Sequence, residues 1–218
     1  LLFAGLYSEG ITEIEEKVIT RDHTERMFEQ FGIPIEVSQF KAAKLIKLNK
    51  VEGIRSANID VCGDFSSASF FILAALITPN SELLLRNVGV NPTRIGFLHA
   101  LRHMGANIEL QNEADSSEPT ADIVVRTSNL KGITLNTNLV ANMIDEMPAF
   151  FIAASLAEGT TKVKDAKELR TKESDRLQVM SEVLESFGIK FRLEDDGIII
   201  NGLGKAGTFR SAEIDSRG

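Results

Sequence analysis

The chain has 218 residues, 43% of them hydrophobic and 25% charged, with 16 Gly and 5 Pro. This composition is typical of an ordinary globular protein and excludes collagen-like, disordered and disulfide-scaffold classes. The net charge is -7, from 24 Lys and Arg against 31 Asp and Glu, and no stretch concentrates Lys and Arg. Such a chain would repel a phosphate backbone, so we expect no nucleic-acid partner. A small anion can still bind, because a few arginines and helix N-termini outweigh net charge locally.

Cys62 is the single cysteine, so no internal disulfide can form, and we expect a reducing, cytoplasmic compartment. We interpret it as a small buried apolar side chain in a strand over Ile59 to Cys62. The longest apolar runs, such as Phe70 to Ile77, fall short of the roughly 20 residues that a membrane span needs. The chain opens inside an apolar run and stops at Arg217-Gly218 without a closing element. We therefore expect a piece of a longer protein.

One pattern occurs three times along the chain. It consists of an apolar helix, a turn of small residues, an alternating strand, a polar cluster with an arginine, a second helix, a glycine and a second strand. A further strand closes each copy. The glycines after the second helices are Gly32, Gly105 and Gly188, which are 73 and 83 residues apart. This period is too long for a solenoid repeat and suits a folding unit of several strands and two helices.

Each copy therefore predicts a small α/β layer. The elements of the first copy are Leu1 to Leu6, Thr12 to Val18, Met27 to Phe31, Ile33 to Val37 and Lys44 to Leu48. Those of the second are Phe70 to Leu76, Leu83 to Val88, Leu98 to Met104, Asn107 to Leu110 and Ile123 to Arg126. Those of the third are Phe150 to Leu156, Thr161 to Lys164, Leu177 to Phe187, Lys190 to Leu193 and Ile198 to Ile200. Asn112 to Thr120 is predicted as a surface loop, and Asp195-Asp196-Gly197 as a hairpin turn.

The polar clusters lie between a strand and a second helix, where unpaired N–H groups and the helix dipole favour anions. The predicted helix N-caps are Thr20, Asn91 and Thr171. The accompanying arginines are Arg21, Arg94 and Arg176, whose planar forks suit carboxylate or phosphate. Related units packed about a pseudo-axis would point these helix ends towards a common cleft, and His23 in the first cluster would then lie within reach of an anion. For each cluster alone, capping and surface ion pairs are the alternative.

Acidic residues precede two of the first helices. We interpret Asp64 as a helix cap. Asp145 lies one helix away from Glu173 and Lys172 in the third copy, and two carboxylates beside a lysine can divide acid and base work. Capping of the following helix by Asp145 or Glu146 is the alternative.

Two other motifs do not indicate function. The run from Gly202 to Gly207 matches the dinucleotide glycine pattern by letter, but no βαβ context surrounds it, so we predict a turn. His99 and His103 are four residues apart on a helix, yet no third metal ligand is apparent.

Several of these motifs together resemble the 3-phosphoshikimate 1-carboxyvinyltransferase family, also called 5-enolpyruvylshikimate-3-phosphate synthases. The most specific are the run from Glu168 to Arg176 (Glu-Leu-Arg-Thr-Lys-Glu-Ser-Asp-Arg), Asp145-Glu146-Met147-Pro148 and Gly159-Thr160-Thr161. The others are Thr20-Arg21-Asp22-His23-Thr24-Glu25, Gly63 to Ala68 and Asn91-Pro92-Thr93-Arg94. The resemblance covers essentially the whole chain. It implies a fold of two domains, each built from three βαβαββ units, in which residues 1–60 are the last unit of one domain. Residues 61–130 and 131–218 would be units of the second domain, the latter truncated.

The reaction implied by this resemblance transfers the enolpyruvyl group of phosphoenolpyruvate to the 5-hydroxyl of shikimate 3-phosphate and releases phosphate. The family needs no metal or organic cofactor. Asp145 resembles the aspartate that holds and deprotonates the attacking hydroxyl. Glu173 resembles the glutamate that protonates the methylene carbon of phosphoenolpyruvate.

The remaining site residues are implied to bind substrate. Lys172 would bond the substrate oxygens at the reacting centre, and Arg176 would belong to the phosphoenolpyruvate site. Thr20 and Arg21 would contact the phosphate or ring of shikimate 3-phosphate, with His23 nearby and Glu168 beside the ring hydroxyls.

Further motifs of the family would lie before Leu1 and after Gly218, so we expect no turnover by this chain alone and a monomer when complete. Two alternatives stay open. The first is the sister family that transfers enolpyruvyl to UDP-N-acetylglucosamine, which carries a reactive loop cysteine and lacks the Lys-Glu-Ser-Asp-Arg run. The second is a non-catalytic α/β module.

Overall fold

The structure, a computed structural model, describes residues 1–18, 20–40, 43–115 and 117–214. The expected end at Arg217-Gly218 lies outside these residues. Helices and strands follow one another in three successive units, and each unit forms a three-stranded antiparallel sheet. The predicted α/β class is therefore confirmed.

The three units have the same order of elements. The first contains α1 (Leu2–Gly5), β1 (Thr12–Glu16), α2 (His23–Gln30), β2 (Ile35–Phe40) and β3 (Ala43–Leu48). The second contains α3 (Phe65–Ile77), β4 (Glu82–Gly89), α4 (Gly96–His103), β5 (Asn107–Ala114) and β6 (Thr120–Arg126). The third contains α5 (Met147–Leu156), β7 (Thr160–Val163), α6 (Arg176–Ser186), β8 (Lys190–Glu194) and β9 (Gly197–Asn201). Short 3₁₀ helices occupy Thr137–Leu139, Ala141–Met143 and Lys167–Thr171.

In every sheet the last strand of the unit lies between the other two, giving the orders β1-β3-β2, β4-β6-β5 and β7-β9-β8. The predicted hairpin turn between β8 and β9 is confirmed, since Glu194 pairs with Gly197 across it. The predicted loop from Asn112 to Thr120 is shorter than expected, because β5 continues to Ala114.

A fourth, minimal strand begins the second and third units. Gly63 forms an isolated parallel bridge with Val88, and Thr134 forms one with Lys162. These bridges supply the parallel pairing with which a βαβαββ unit starts. The predicted strand from Ile59 to Cys62 is wrong, however: this segment has no regular structure, and Cys62 is only partly buried.

The glycine that recurs in the sequence ends the second helix of each unit. Gly32, Gly105 and Gly188 have φ angles of +67°, +91° and +76°. The amide of the next residue returns to the helix in each case, as in the 2.9 Å bond from the Ile33 N–H to the Phe28 carbonyl. This is the Schellman arrangement, in which glycine takes the left-handed position without a steric penalty. The recurring glycine of the sequence therefore marks the same structural position, the end of the second helix, in each unit.

The predicted caps of the second helices are wrong. The helices begin after Asp22, Ile95 and Asp175. The Thr20 hydroxyl instead donates to the Glu16 carboxylate, and the Thr171 hydroxyl donates to the Glu168 carbonyl.

Asn91 closes a turn, where its side-chain oxygen accepts from the Thr93 N–H at 2.9 Å, and α4 starts only at Gly96. The predicted cap at Asp64 is confirmed, because its carboxylate accepts from the amides of Ser66 and Ser67 at 3.3 and 2.8 Å.

Two hydrophobic cores hold these units. The first unit has its own core of Leu2, Phe28, Ile33, Ile46 and Leu48. The second and third units share one larger core, in which α3 packs on α5. Most of α5 is buried, whereas α3 buries one face and exposes Phe70 and Phe71 on the other. The second and third units are therefore one packed body, and the first is joined to it by a segment without regular structure over residues 51–62.

In the part of the chain that the structure covers, no helix combines the length and the apolar character required to cross a bilayer.

Replacing Leu101 by Ala should lower the free energy of unfolding by about 2–5 kcal/mol, because its side chain leaves a cavity in the shared core. Leu101 is fully buried in α4, whereas Leu84 in β4 is 43% exposed. The matched change Leu84→Ala should therefore cost about 1 kcal/mol or less. Urea denaturation of both variants measures the difference, and equal losses would contradict the assigned core.

Candidate functional site

The tips of the first and third units meet at one place. Arg21 lies immediately before the N-cap of α2, and Arg176 is the first residue of α6. Asp145 lies in the turn before α5. These three positions come from different elements, and they bring two guanidinium groups to one carboxylate.

Asp145 is held between the two arginines. The Arg21 Nη2 donates to Oδ2, and the Arg176 Nη1 donates to Oδ1 at 3.2 Å. Partial burial acts to raise the pKa of Asp145, but the hydrogen bonds and charges of Arg21 and Arg176 outweigh it and lower the pKa. Asp145 is therefore an ionised counter-ion of the two arginines.

Glu173 is bound to the same cation. The second terminal nitrogen of Arg176 donates to its carboxylate at 3.0 Å, and the Glu173 side chain is 83% exposed. Its own backbone N–H and then Arg176 lower the pKa of Glu173. The sequence expectation that Asp145 and Glu173 share a neighbourhood is correct, and the bridging cation is Arg176.

Lys172 does not lie between the two carboxylates. Its ammonium pairs with Glu168 at 2.6 Å, four residues earlier. It still lies near enough to Glu173 for its charge to contribute to lowering the pKa of that carboxyl. Glu168 and Lys172 thus form an ion pair of their own. The Thr20 hydroxyl is bonded to Glu16.

His23 lies at the joint between the first and second units. Its Nδ1 pairs with Glu118, which belongs to the segment between β5 and β6. The Asn91 amide donates to Asp22 at 2.6 Å and to Glu118 at 3.2 Å. Burial acts to raise the pKa of Asp22, but hydrogen bonds from Asn91 and Arg26 lower it. The partner of His23 in this structure is thus the Glu118 carboxylate, and the pair joins the first unit to the second.

Arg94 has partners different from those of the other two arginines. Its Nη2 donates to the Ser66 hydroxyl at 2.6 Å and lies 3.5 Å from the Asp64 carboxylate. The Ser66 hydroxyl donates in turn to Glu146, the buried neighbour of Asp145. Arg94 is thus a largely buried structural cation, because the cap of α3 and Glu146 already neutralise it.

Sequence reasoning missed Glu118 and the internal role of Glu146. Glu118 falls in an acidic stretch that gives no sign of a partner 95 residues earlier in the chain. Glu146 carries a weak sign, since a second carboxylate directly before a buried apolar helix must find a partner or be neutralised.

The described residues contain no group of three or more His, Cys, Asp or Glu side chains arranged to hold a metal ion. What the site offers is fixed cations, suited to phosphate and carboxylate, beside two carboxylates that can carry protons.

Comparison with known proteins identifies close relatives. The family model described as EPSP synthase (3-phosphoshikimate 1-carboxyvinyltransferase) matches residues 1–218. The 3-phosphoshikimate 1-carboxyvinyltransferase of Legionella pneumophila (strain Corby) is 45% identical over 219 residues, covering 100% of this chain and 49% of the relative. The enzyme of the same name from Pelobacter propionicus is 48% identical over 208 residues, covering 95% and 47%. The chain spans about half the length of the curated relatives that it matches.

Solved structures of similar fold are also found. The EPSP synthase from Acinetobacter baumannii superimposes with a TM-score of 0.89 at 44% identity, over 99% of this chain and 49% of that one. The enolpyruvyl transferase NikO from Streptomyces tendae has a TM-score of 0.68 at 14% identity, over 92% and 44%, and it shares the fold alone. The predicted enolpyruvyl transferase-like fold is confirmed.

Asp145 should make stability depend on pH in a defined direction. Because its folded pKa is lowered, its contribution is complete above about pH 4, the ordinary carboxyl value, and is lost as the pH falls through the folded pKa. The difference in unfolding free energy between the parent and Asp145→Asn should therefore shrink on acidification below about pH 4. Urea denaturation between neutral and acid pH measures it.

Arg21→Gln should weaken this pH dependence, because it removes one of the two cations. Arg102→Gln provides the control, since the Arg102 side chain bonds to the Ile108 carbonyl instead. A parent-minus-variant difference that stays constant with pH would contradict the pairing of Asp145.

Proposed function

The chain belongs to the EPSP synthase family, and we propose that the complete protein transfers the enolpyruvyl group of phosphoenolpyruvate to the 5-hydroxyl of shikimate 3-phosphate, releasing phosphate. The relatives that carry this name span about twice its length. The activity is therefore proposed for the complete protein, and we expect no turnover from these 218 residues alone.

One observation carries the proposal. Arg176 binds Asp145 and Glu173 together, and Arg21 reaches Asp145 from another unit. Both substrates are anions that need fixed cations, and addition of a hydroxyl to an enol phosphate needs one group to accept a proton and another to donate one. This cluster supplies both chemistries in one place.

Asp145 would accept the proton of the attacking hydroxyl of shikimate 3-phosphate. The hydroxyl oxygen would then add to the central carbon of phosphoenolpyruvate. Glu173 would deliver a proton to the methylene carbon, giving a tetrahedral adduct. The carbon–oxygen bond to phosphate would then break, phosphate would leave with the proton held on Asp145, and the methyl group of the adduct would return one proton to Glu173 as the methylene re-forms. Lys172 would bond the substrate oxygens at the reacting centre, and Glu168, Thr20 and His23 would complete the pocket of shikimate 3-phosphate.

The lowered pKa values of the free protein bear on this scheme. A proton donor must carry its proton, yet the backbone N–H of Glu173 and then Arg176 lower the pKa of Glu173. Anionic substrates that bind Arg21 and Arg176 would draw both cations away from the carboxylates. The pKa of each carboxyl would then rise, because the favourable charge is lost and water is excluded. The substrates would themselves convert two counter-ions into proton carriers.

The sister UDP-sugar family carries a reactive loop cysteine, and Cys62 does lie in a segment without regular structure, but the Lys-Glu-Ser-Asp-Arg run argues against that family. The non-catalytic module has no observation in its favour. Cys62 lies in a pocket of about 240 Å³ between the first and second units, lined also by His23 and Arg94, and the chain keeps the Lys-Glu-Ser-Asp-Arg run that the UDP-sugar enzymes lack. For the complete enzyme we propose a cytoplasmic monomer that needs no metal or organic cofactor, with the lone cysteine as the argument for the compartment.

Replacing each of the two arginines should weaken the binding of a different substrate. In the complete protein, Arg21→Gln should weaken shikimate 3-phosphate binding by about 10- to 100-fold, because a charge-assisted hydrogen bond is lost. Arg176→Gln should do the same to phosphoenolpyruvate. Titration calorimetry with each substrate measures both, and Arg102→Gln is the control. Equal losses for both substrates in either variant would contradict the assignment.

Glu173→Gln should lower kcat by about 10²- to 10⁴-fold while substrate binding is retained, because the amide keeps the shape but cannot donate the proton. Glu185, exposed near the other end of α6, provides the matched control Glu185→Gln, which should keep full activity. Phosphate release from both substrates together is the assay. Full activity of Glu173→Gln would exclude its role, and an inactive complete parent protein would exclude the function.

A further inference from the structure

Glu146 directly follows Asp145, yet the two side chains have opposite surroundings. The Asp145 side chain is 34% exposed, whereas that of Glu146 is 1% exposed. Burial raises the pKa of Glu146, and the negative charge of Asp145 adds to this effect. A carboxylate placed there is costly unless other groups hold it.

Two side chains of the second unit hold it. The Ser66 hydroxyl, in the first turn of α3, donates to Glu146 Oε1. The Arg94 Nη2 donates to the Ser66 oxygen at 2.6 Å and lies 3.9 Å from Glu146 Oε1. The chain of donors runs from Arg94 through Ser66 to Glu146, so the turn before α5 is anchored on the start of α3.

The backbone of Glu146 is fixed as well. Its N–H bonds to the Met143 carbonyl at 3.0 Å, and its carbonyl accepts from the Phe150 N–H at 2.9 Å. The ordinary role of a glutamate at this place would be to cap α5, but its side chain makes no capping bond. The side chain is used for the contact with Ser66 instead.

We propose that Glu146 is a positioning residue for Asp145: its buried anchor on Ser66 and Arg94 fixes the turn, so that the Asp145 carboxylate faces Arg21 and Arg176. This inference rests on the proposed function, in which Asp145 takes the hydroxyl proton. A displacement of about 1 Å at a reacting group can cost about 100-fold in rate. Glu146 itself is turned away from the cluster and would touch no substrate.

Kinetics of the complete protein test the role. Glu146→Ala removes the anchor and should lower kcat about 100-fold, with KM for both substrates within about threefold. Glu146→Gln keeps an oxygen that can accept from Ser66, so its kcat should stay within about threefold of the parent. Parent-like kcat in Glu146→Ala would overturn the proposal. So would a loss in Glu146→Gln as large as that in Glu146→Ala, because charge rather than position would then matter.

A smaller change guards against an unfolded alanine variant. Ser66→Ala deletes a single oxygen, and losing its bond to a carboxylate should lower kcat by about tenfold. In the double variant with Glu146→Ala, kcat should fall no further than in Glu146→Ala alone, because the two residues act through one contact. Additive losses, or an unchanged kcat in Ser66→Ala, would overturn the proposal.

The pKa of Asp145 gives a readout that does not depend on activity. Carboxyl NMR titration of the ligand-free complete protein should show this pKa rising in Glu146→Ala, because the pairing with Arg21 and Arg176 loosens. In Glu146→Gln it should stay low or fall, since a neighbouring negative charge is removed. An equal fall in both variants would overturn the positioning role. An inactive parent would refute the proposed function alone, and the titration would still decide the positioning.

Discussion

The candidate site depends on how one carboxylate is neutralised. Asp145 accepts hydrogen bonds from Arg21 and Arg176, and Arg176 also binds Glu173. Without this pairing, four charged groups would lie at the tips of two units without fixed partners. With it, Arg21 and Arg176 are held within hydrogen-bond distance of Asp145, and Arg176 also holds Glu173. The same contacts therefore fix the relative positions of these side chains.

The repeat explains how separate segments arrive at this place. Each unit ends its second helix with a glycine in the left-handed conformation, at Gly32, Gly105 and Gly188. An arginine stands near the start of each second helix, but only Arg21 and Arg176 reach Asp145. Arg94 serves the interior, because Ser66 and Glu146 lie between it and the cluster. The three arginines therefore lie at corresponding places in the repeat. Their neighbouring side chains differ, so Arg94 is largely buried against Ser66 whereas Arg21 and Arg176 bind Asp145.

Features set by neighbouring residues could be predicted from the sequence, whereas contacts between distant segments could not. The unit pattern, the glycine helix ends and the cap at Asp64 follow from local rules, and these predictions are confirmed. The caps at Thr20 and Thr171 are wrong, because the Thr20 hydroxyl bonds to Glu16 in the preceding strand and the Thr171 hydroxyl bonds to the Glu168 carbonyl within its own 3₁₀ helix. The neighbourhood of Asp145 and Glu173 was predictable within one unit. The contacts of His23 and Glu146 were not, because their partners lie 95 and 80 residues away and only the fold brings them together.

The joint between the first unit and the rest differs in kind from the joint between the other two. The second and third units share a hydrophobic core, whereas the first has a core of its own. It meets them through polar pairs, namely Arg21 with Asp145, His23 with Glu118 and Asp22 with Asn91. Partly exposed ion pairs contribute only about 0–1 kcal/mol each, because water and salt compete for them. An anion that bound Arg21 and Arg176 would compete on the same terms, because it would replace ion pairs and leave both hydrophobic cores in place. The joint of the first unit is therefore held by ion pairs, whereas the joint of the other two units is held by apolar packing.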